Sequence, residues 1–302
     1  GTEAPFRGAA DRGPASSIES LTMRDLPSIR RNPVLLTLPA VLLLLVALGY
    51  PLAQVVARSF TDPEAGLGNY VWFFSRPVNL TVFRRTFEVS GWVTLICLVL
   101  AYPYAWLMTA VGPRVRLLMV LCVLVPFWVS GVVRTLAWVI LLQDSGVINR
   151  MVMALGFEKL RLIRTQTGVI IGMTQVLLPF MIMPLYAVMR GIDLRLLQAA
   201  RSLGARPFLA FLQIYLPLSL PGVLAGAVIV FILGLGFYIT PALLGGPRAT
   251  MLSTLAQQQV LQQLNWGKGG AMGVILLVST LVLLAVAARL TRRRYRIAGG
   301  SK

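Results

Sequence analysis

The sequence predicts an all-α membrane protein with six transmembrane helices. Three observations support this prediction: 57% of the 302 residues are hydrophobic, only 13% are charged, and the mean hydropathy is +0.78. Soluble domains carry roughly a quarter charged residues, so most of this chain must lie where charge is costly. The net charge is +18, but the basic residues fall between long apolar runs instead of gathering on one soluble face. We therefore expect no nucleic-acid partner.

The spans follow from run length, because a helix needs about 20 mostly apolar residues to cross a bilayer. Six runs meet this length: Val34–Ala57, Val89–Val111, Leu117–Leu142, Gly168–Met189, Leu216–Leu244 and Ala271–Leu290. They define a transmembrane domain over residues 34–290. A polar segment, residues 1–33, precedes it, and a basic tail, residues 291–302, follows it.

The six runs differ in how often proline and glycine interrupt them. We expect clean helices from the first, second and sixth runs. The third is interrupted by Pro126, Gly131 and Arg134, and the fourth by Pro179 and Pro184. The fifth opens with Pro217 and Pro221 and closes near Pro241. Proline removes a backbone donor, and broken helices in a membrane belong against protein or a water-filled cavity. Spans three to five are thus predicted to line a pathway, although prolines are also simply commoner in membrane helices.

The distribution of basic residues predicts the orientation. With the N-terminus inside, 17 of the 28 Lys and Arg residues fall in inner segments and ten in outer ones. The positive-inside rule then places both termini in the cytoplasm of a bacterial cell. Residues 58–86 form an outer connection whose aromatic side chains predict a segment at the membrane interface: Tyr70, Trp72, Phe73 and Phe74.

The loop over about residues 190–215, between spans four and five, carries clear helix signals. Asp193 is a good N-cap, Gly204 suits the left-handed residue that ends a helix, and Pro207 fits the first turn of the next helix. The pattern predicts a short helix, a tight bend and a second helix. One apolar stripe runs along the short helix, formed by Leu196, Ala200 and Leu203. A small-faced cytoplasmic helix is typical of a docking element, but it could also pack on its own bundle.

The same loop carries a recognisable motif. Gln198-Ala199-Ala200 is followed by Gly204 and then by Ile214-Tyr215-Leu216-Pro217. This spacing resembles the EAA loop of binding-protein-dependent ABC importer permeases, except that the family usually has Glu where Gln198 stands. The resemblance implies the type I importer (MetI-like) fold and contact with an ATPase through Gln198, Ala199, Ala200, Leu203 and Gly204.

Three further stretches are similar to the spermidine/putrescine branch of that family: Pro126–Arg134, Leu178–Tyr186 and Phe237–Pro241. The resemblance covers about residues 34–290. It implies import of a small organic solute, a polyamine or a related amine, by alternating access. It also implies four kinds of partner: a second permease subunit, two cytoplasmic ATPase subunits, a periplasmic or lipid-anchored solute-binding protein, and membrane lipid.

Candidate pathway residues are few. Arg134 is the one strong charge well inside a run, and it either anchors the helix near the outer boundary by snorkelling or lines the outer mouth. None of the six runs holds Asp or Glu. An organic cation could instead use aromatic faces, and the candidates are Trp128, Trp138, Tyr186 and Tyr238, although such residues also serve as packing or interface anchors. Gly222 and Gly226 predict close helix contact.

Catalysis by this chain is not expected. The sequence has no His, and its two Cys residues lie inside apolar runs, so we expect no metal centre and no cofactor. Gly267-Lys268-Gly269 lacks the Ser or Thr and the earlier Gly of a P-loop, so energy must come from another chain or from a gradient.

A secondary transporter or channel acting alone is the alternative function, and the absence of a repeat disfavours it. A membrane enzyme is disfavoured by the lack of His and of paired intramembrane carboxylates.

Overall fold

A computed structural model describes Gly1 and residues 33–299, with side chains from residue 37 to residue 289. The predicted polar segment and the side chains of the basic tail, and hence most of the inner basic residues, lie outside these described parts. Within them the chain is helical and contains no β-strand, so the predicted all-α class is confirmed.

Thirteen α-helices make up the described part of the chain. Their bounds are α1 Pro33–Thr61, α2 Gly68–Ser75, α3 Pro77–Ala110, α4 Pro113–Leu124, α5 Gly131–Leu142, α6 Val147–Ala154, α7 Gln166–Met189, α8 Arg195–Ser202, α9 Pro207–Ala210, α10 Leu216–Gly236, α11 Ile239–Leu244, α12 Leu252–Leu261 and α13 Trp266–Gly299. Two 3₁₀ turns (Val125–Trp128 and Pro247–Ala249) and one π-helical segment (Phe211–Tyr215) complete the series.

The chain divides into two compact units, residues 1–54 and 55–302. Within the first unit, α1 exposes large aliphatic side chains from Leu38 to Leu52, such as Leu43 and Leu48. A helix that is apolar all round is typical of a membrane span.

Six helical segments in the described residues are long and apolar enough to cross a membrane, as predicted. They are Thr37–Thr61, Pro77–Ala110, Gly131–Ala154, Gln166–Met189, Pro207–Gly236 and Trp266–Arg289. The first, fourth and sixth overlap the predicted runs closely, whereas the fifth, predicted as Leu216–Leu244, starts nine residues earlier and ends eight residues earlier. The second begins twelve residues earlier than the predicted Val89, so it contains Glu88, whose carboxylate pairs with Arg84 one turn away. Glu88 lies just outside the predicted run and falls within the longer candidate span.

The third span is displaced from its prediction. The run Leu117–Leu142 is not one helix, because Pro126 lies in a 3₁₀ turn and Val129 is extended (φ −78°, ψ 135°). The twelve-residue α4 before this break is too short to cross a bilayer. The candidate span starts after it, at Gly131.

The proline-based prediction of broken helices is only partly right. α7 continues through Pro179 and Pro184 without a break, so the interruption predicted for span four is wrong. The fifth span ends at Gly236, before the extended Phe237, and not near Pro241, which lies in the first turn of the separate helix α11. Prolines also lie inside α1 and α3, which were predicted to be clean. A proline inside a helix loses one backbone hydrogen bond. In a membrane helix, neighbouring helices can supply a partner for the backbone group that is left free.

The core of the second unit forms where α3, α7 and α10 pack together. Its fully buried side chains include Val93, Ala101, Met173, Leu177, Leu185 and Val230. The predicted close contact at Gly222 and Gly226 is confirmed. A Cβ at Gly226 would lie 2.7 Å from the Met181 sulfur, and one at Gly222 would lie 3.2 Å from the Leu185 Cα. α7 and α10 therefore pack without room for a side chain between them at these two positions.

Candidate functional site: the loop around α8 and the pathway residues

The start of α8 is fixed by Asp193. One carboxylate oxygen of Asp193 accepts a hydrogen bond from the Arg195 backbone N–H at 2.9 Å. The Asp193 carbonyl accepts from the Leu196 N–H at 3.2 Å. The side chain thus satisfies one of the donors that a helix start leaves free. The predicted cap is confirmed, with the regular helix beginning two residues later.

The end of α8 is a Schellman motif. Gly204 has φ +89°, in the left-handed region, as predicted. Its N–H donates to the Arg201 carbonyl at 3.0 Å, and the Ala205 N–H donates to the Ala200 carbonyl at 3.0 Å. These are the two hydrogen bonds that define the motif. They turn the chain sharply, so that α9 begins at Pro207.

One face of α8 is not covered by the part of the chain that the structure describes. Leu203 is 89% exposed, Leu196 is 48% exposed, and no residue of α8 is buried. Leu197, about 100° around the helix from Leu196, is half-buried and packs against the main core, and Ala200 of the stripe is half-buried as well. The helix is therefore held by Leu197 and leaves the two leucines of the predicted stripe exposed, together with Gln198 and Ala199. This exposure favours docking over packing on its own bundle.

A π-helical segment that the sequence analysis missed connects this loop to the core. Over Phe211–Tyr215 the helix widens, with the Leu216 N–H donating to the Phe211 carbonyl five residues back. Pro217 follows at once, and its ring would otherwise press on the carbonyl of the preceding turn. The Phe211 ring meets the Tyr102 ring of α3 edge-on, with the ring centres 6.0 Å apart, and so ties the segment to α3. Just after the segment, Ser219 of α10 forms a 2.9 Å hydrogen bond with Tyr102. The sequence signal for this π-helical segment is Pro217, because a proline inside a helix that does not break requires a local change in the backbone hydrogen bonds.

Arg134 lies in the first turns of α5, beside the break that displaces span three. One of its terminal nitrogens donates to the Val129 carbonyl at 3.1 Å, while its buried Nε has no partner. Val129 is the extended residue of the break. The guanidinium therefore donates a hydrogen bond to a carbonyl that the helix leaves free, and this supports the anchoring role of Arg134. The role in the pathway stays a prediction.

The other pathway candidates do not form one cluster. The Trp138 indole N–H donates to the Gln175 side-chain oxygen at 3.4 Å, and both line an apolar crevice of about 290 Å³ between α3, α5 and α7. Tyr186 is half-buried against the core, Tyr238 is exposed at the break before α11, and Trp128 is 90% exposed. No hydrogen bond or ring contact among the described residues joins any two of the five candidates. Their shared role in a pathway also stays a prediction.

A polar cleft of about 450 Å³ is lined by three parts of the chain, all of which are predicted to lie on the outer side of the membrane. These parts are the start of α3, the segment before α7, and the segment from α11 to α12. Arg164 lines the cleft in a left-handed backbone conformation (φ +59°), held by a 2.8 Å hydrogen bond from its N–H to the Leu244 carbonyl. Buried Thr254, whose hydroxyl has no partner, and Gln258 also line it, but no carboxylate does. Sequence analysis missed this site because its residues are far apart in the chain.

The fold and the loop can be compared with known proteins. A family model described as binding-protein-dependent transport system inner membrane component matches residues 94–296. The chain belongs to this family. It is a multi-pass permease subunit of an ABC importer in the inner membrane, and the recognition made from the EAA-like loop is confirmed.

Individual relatives of this permease include proteins of known systems. The spermidine/putrescine transport system permease protein PotB of Haemophilus influenzae is 35% identical over 220 residues, covering 72% of this chain and 77% of that protein. The protein of the same name from Escherichia coli is 33% identical over 236 residues, covering 78% and 86%.

A solved structure confirms the fold of the permease. It is described as a bacterial alginate ABC transporter in complex with alginate pentasaccharide-bound periplasmic protein. It matches with a TM-score of 0.72 at 22% identity, covering 88% of this chain and 96% of the matched chain. At this identity the match concerns architecture alone, and it confirms the predicted importer-permease fold.

Proposed function

We propose that this permease subunit takes part in the ATP-driven import of a polyamine, spermidine or putrescine, or of a related amine. The similarity to two permeases of spermidine/putrescine transport systems, each over more than 70% of the chain, supports this substrate class. The chain itself carries no P-loop, so the proposal places ATP hydrolysis on partner subunits.

The observation that carries the proposal is the exposed apolar stripe of α8. Leu196 and Leu203 are exposed on a helix whose ends are both fixed by hydrogen bonds. A rigid helix with an uncovered apolar face is suited to a groove on another protein. In the proposal that protein is a cytoplasmic ATPase subunit, and Gln198, Ala199, Ala200, Leu203 and Gly204 form the contact.

Coupling then follows from the connections of α8. The Schellman turn leads directly into α9, the π-helical segment and α10. α10 packs on α7 at Gly222 and Gly226 with no side chain between them. A displacement of α8 by the ATPase is thus passed to the two central helices, and the proposal makes this the movement that alternates access.

The remaining partners and the orientation belong to the same proposal. Both termini lie in the cytoplasm, a second permease subunit completes the pathway, two ATPase subunits bind at the cytoplasmic face, and a periplasmic or lipid-anchored solute-binding protein delivers the solute outside. Arg134, Trp128, Trp138, Tyr186 and Tyr238 remain its tentative pathway residues. The polar cleft holds Arg164 and no carboxylate, so we do not assign the polycation to it.

The test is reconstitution with the cognate partners. Proteoliposomes that contain both permeases, the ATPase and the solute-binding protein should take up labelled spermidine or putrescine only with internal ATP. Omitting this subunit should abolish uptake, and unlabelled polyamine should compete where sulfate does not. Uptake by this chain alone on a proton or sodium gradient would support the alternative of a stand-alone transporter. ATP-driven uptake of a different solute would overturn the polyamine assignment.

A further inference from the structure

Three candidate membrane spans end or begin at one place in the second unit, and each carries a cation there. α1 ends at Thr61 with Arg58 in its last turn, Arg76 directly precedes α3, and Lys268 lies in the first turn of α13. The candidate spans of α1 and α13 have 25 and 24 residues, about the length that crosses a bilayer, so their ends mark where the chain leaves the hydrocarbon layer. The α3 span is longer, but Arg76 lies at the same level because it shares the Trp72 ring with Lys268. The three cations therefore lie at the level of the lipid headgroups, and we call them the cation cluster.

Two tryptophan rings organise the cation cluster. The Arg76 guanidinium lies 5.3 Å and the Lys268 ammonium 5.0 Å from the centre of the Trp72 ring. The Arg58 guanidinium lies 5.2 Å from the centre of the Trp266 ring. Tryptophan is enriched at the interface between membrane and water, and its face attracts cations at these distances. The rings thus hold the cations in place without neutralising their charge.

The packing beneath the cluster is tight, so its geometry is fixed. A Cβ at Gly267 would lie 2.7 Å from the side-chain nitrogen of Asn69, and even closer to the Asp62 carbonyl. Asn69 itself donates to the carbonyls of Ser59 and Asp62. The Asn265 side chain accepts from the Lys268 N–H at 3.1 Å and caps α13. The end of α1, the start of α2 and the start of α13 are thus joined at backbone distance, which keeps Arg58 and Lys268 close to the Trp72 side of the cluster.

No carboxylate in the described residues pairs with the cluster. The two ion pairs found there are Arg84–Glu88 and Lys159–Asp144. Asp62 and Glu64 belong to the connection that follows α1, and neither lies within ion-pair distance of a cluster cation. Cations that share an aromatic ring without a counter-ion repel each other. A group with several anionic oxygens, such as a phosphate, would relieve this repulsion and accept hydrogen bonds from both.

We propose that the cation cluster binds the phosphate group of an anionic phospholipid, such as phosphatidylglycerol. A lipid suits the site better than free phosphate because apolar side chains are exposed nearby on α2 and at the start of α3. Val71, Phe74 and Val78 are between 58% and 69% exposed, and they offer an apolar surface for acyl chains. This site does not depend on which solute the permease imports.

The test uses the assembled transporter in nanodiscs of phosphatidylcholine with a minor fraction of phosphatidylglycerol. Native mass spectrometry after detergent release measures how much phosphatidylglycerol stays bound. A cation near a membrane surface strengthens binding of anionic lipid about fivefold. We therefore expect Lys268→Gln to lower retention about fivefold, and the double variant Arg76→Gln with Lys268→Gln to lower it about 25-fold.

The matched control is Arg161→Gln, which removes the same charge from an exposed residue of the connection before α7. It should leave retention unchanged, and Arg76→Lys should keep most of it. Equal retention of phosphatidylglycerol by the double variant and the wild type would overturn the proposal. Thermal stabilisation of the wild type, but not of the double variant, by inorganic phosphate alone would also overturn it, in favour of a free-anion site.

Discussion

Substitution of Gly204 tests whether the fixed angle of α8 couples the permease to its ATPase. A Cβ at Gly204 would meet nothing within 4 Å, so any cost of a larger residue comes from the backbone. At φ +89° a β-branched residue is a genuine outlier, and such strain costs about 1–3 kcal/mol. Relief of the strain would break the two hydrogen bonds of the Schellman motif. At 1.4 kcal/mol per tenfold, Gly204→Val should reduce the docking-competent form roughly 5- to 150-fold.

The assay has two readouts, co-purification of the ATPase and polyamine-stimulated ATP hydrolysis in proteoliposomes. Gly204→Asn is the matched control, because Asn tolerates the left-handed region, and it should stay within a few-fold of wild type. Gly204 is exposed, so both variants should reach normal protein levels. Unchanged ATPase association and unchanged stimulated hydrolysis in Gly204→Val would refute α8 as the coupling element.

Four further predictions follow from the loop, the topology and the break in span three. Ala200→Trp should weaken ATPase co-purification roughly 5- to 150-fold, because overpacking costs about 1–3 kcal/mol; wild-type co-purification would contradict close approach at this residue. Gln198→Ala should change uptake less than about twofold and with little salt dependence, because the position is neutral and exposed; a large, salt-sensitive loss would reveal an ionic contact. In a Cys-free background, external thiol reagents should label a cysteine at Ser145 but not one at Ser202, and the reverse pattern would invert the topology. Arg134→Ala should reduce uptake at near-normal protein level, and normal uptake in both Arg134→Ala and Arg134→Lys would leave it as an anchor at most.

Local hydrogen-bond chemistry explains which predictions from the sequence succeed. Asp193, Gly204 and Pro207 act on backbone groups within a few residues of themselves. Their roles can therefore be read without knowing what packs against them. The apolar runs can likewise be predicted without knowledge of the packing, because the length of hydrocarbon that a helix must cross is set by the bilayer and not by the fold.

The breaks in the helices could not be predicted in this way. Pro179 and Pro184 lie in a continuous α7, whereas Val129 and Phe237 mark true breaks. Whether a lost hydrogen bond ends a helix depends on what the surrounding helices offer in exchange. α7 lies in the core with α3 and α10 against it, and that support comes from residues distant in sequence.

The sequence by itself determined the membrane class, the six spans, the family and the caps of α8, because each follows from composition or from neighbouring residues. The tertiary structure alone decided that Leu196 and Leu203 of α8 are left exposed by the described residues, that the pathway candidates lie apart, and that three cations meet beside two tryptophan rings. Arg58 and Lys268, which both belong to that cation cluster, are separated by more than two-thirds of the chain. The proximity of these residues depends on how the helices pack, and no pattern of neighbouring residues in the sequence indicates it.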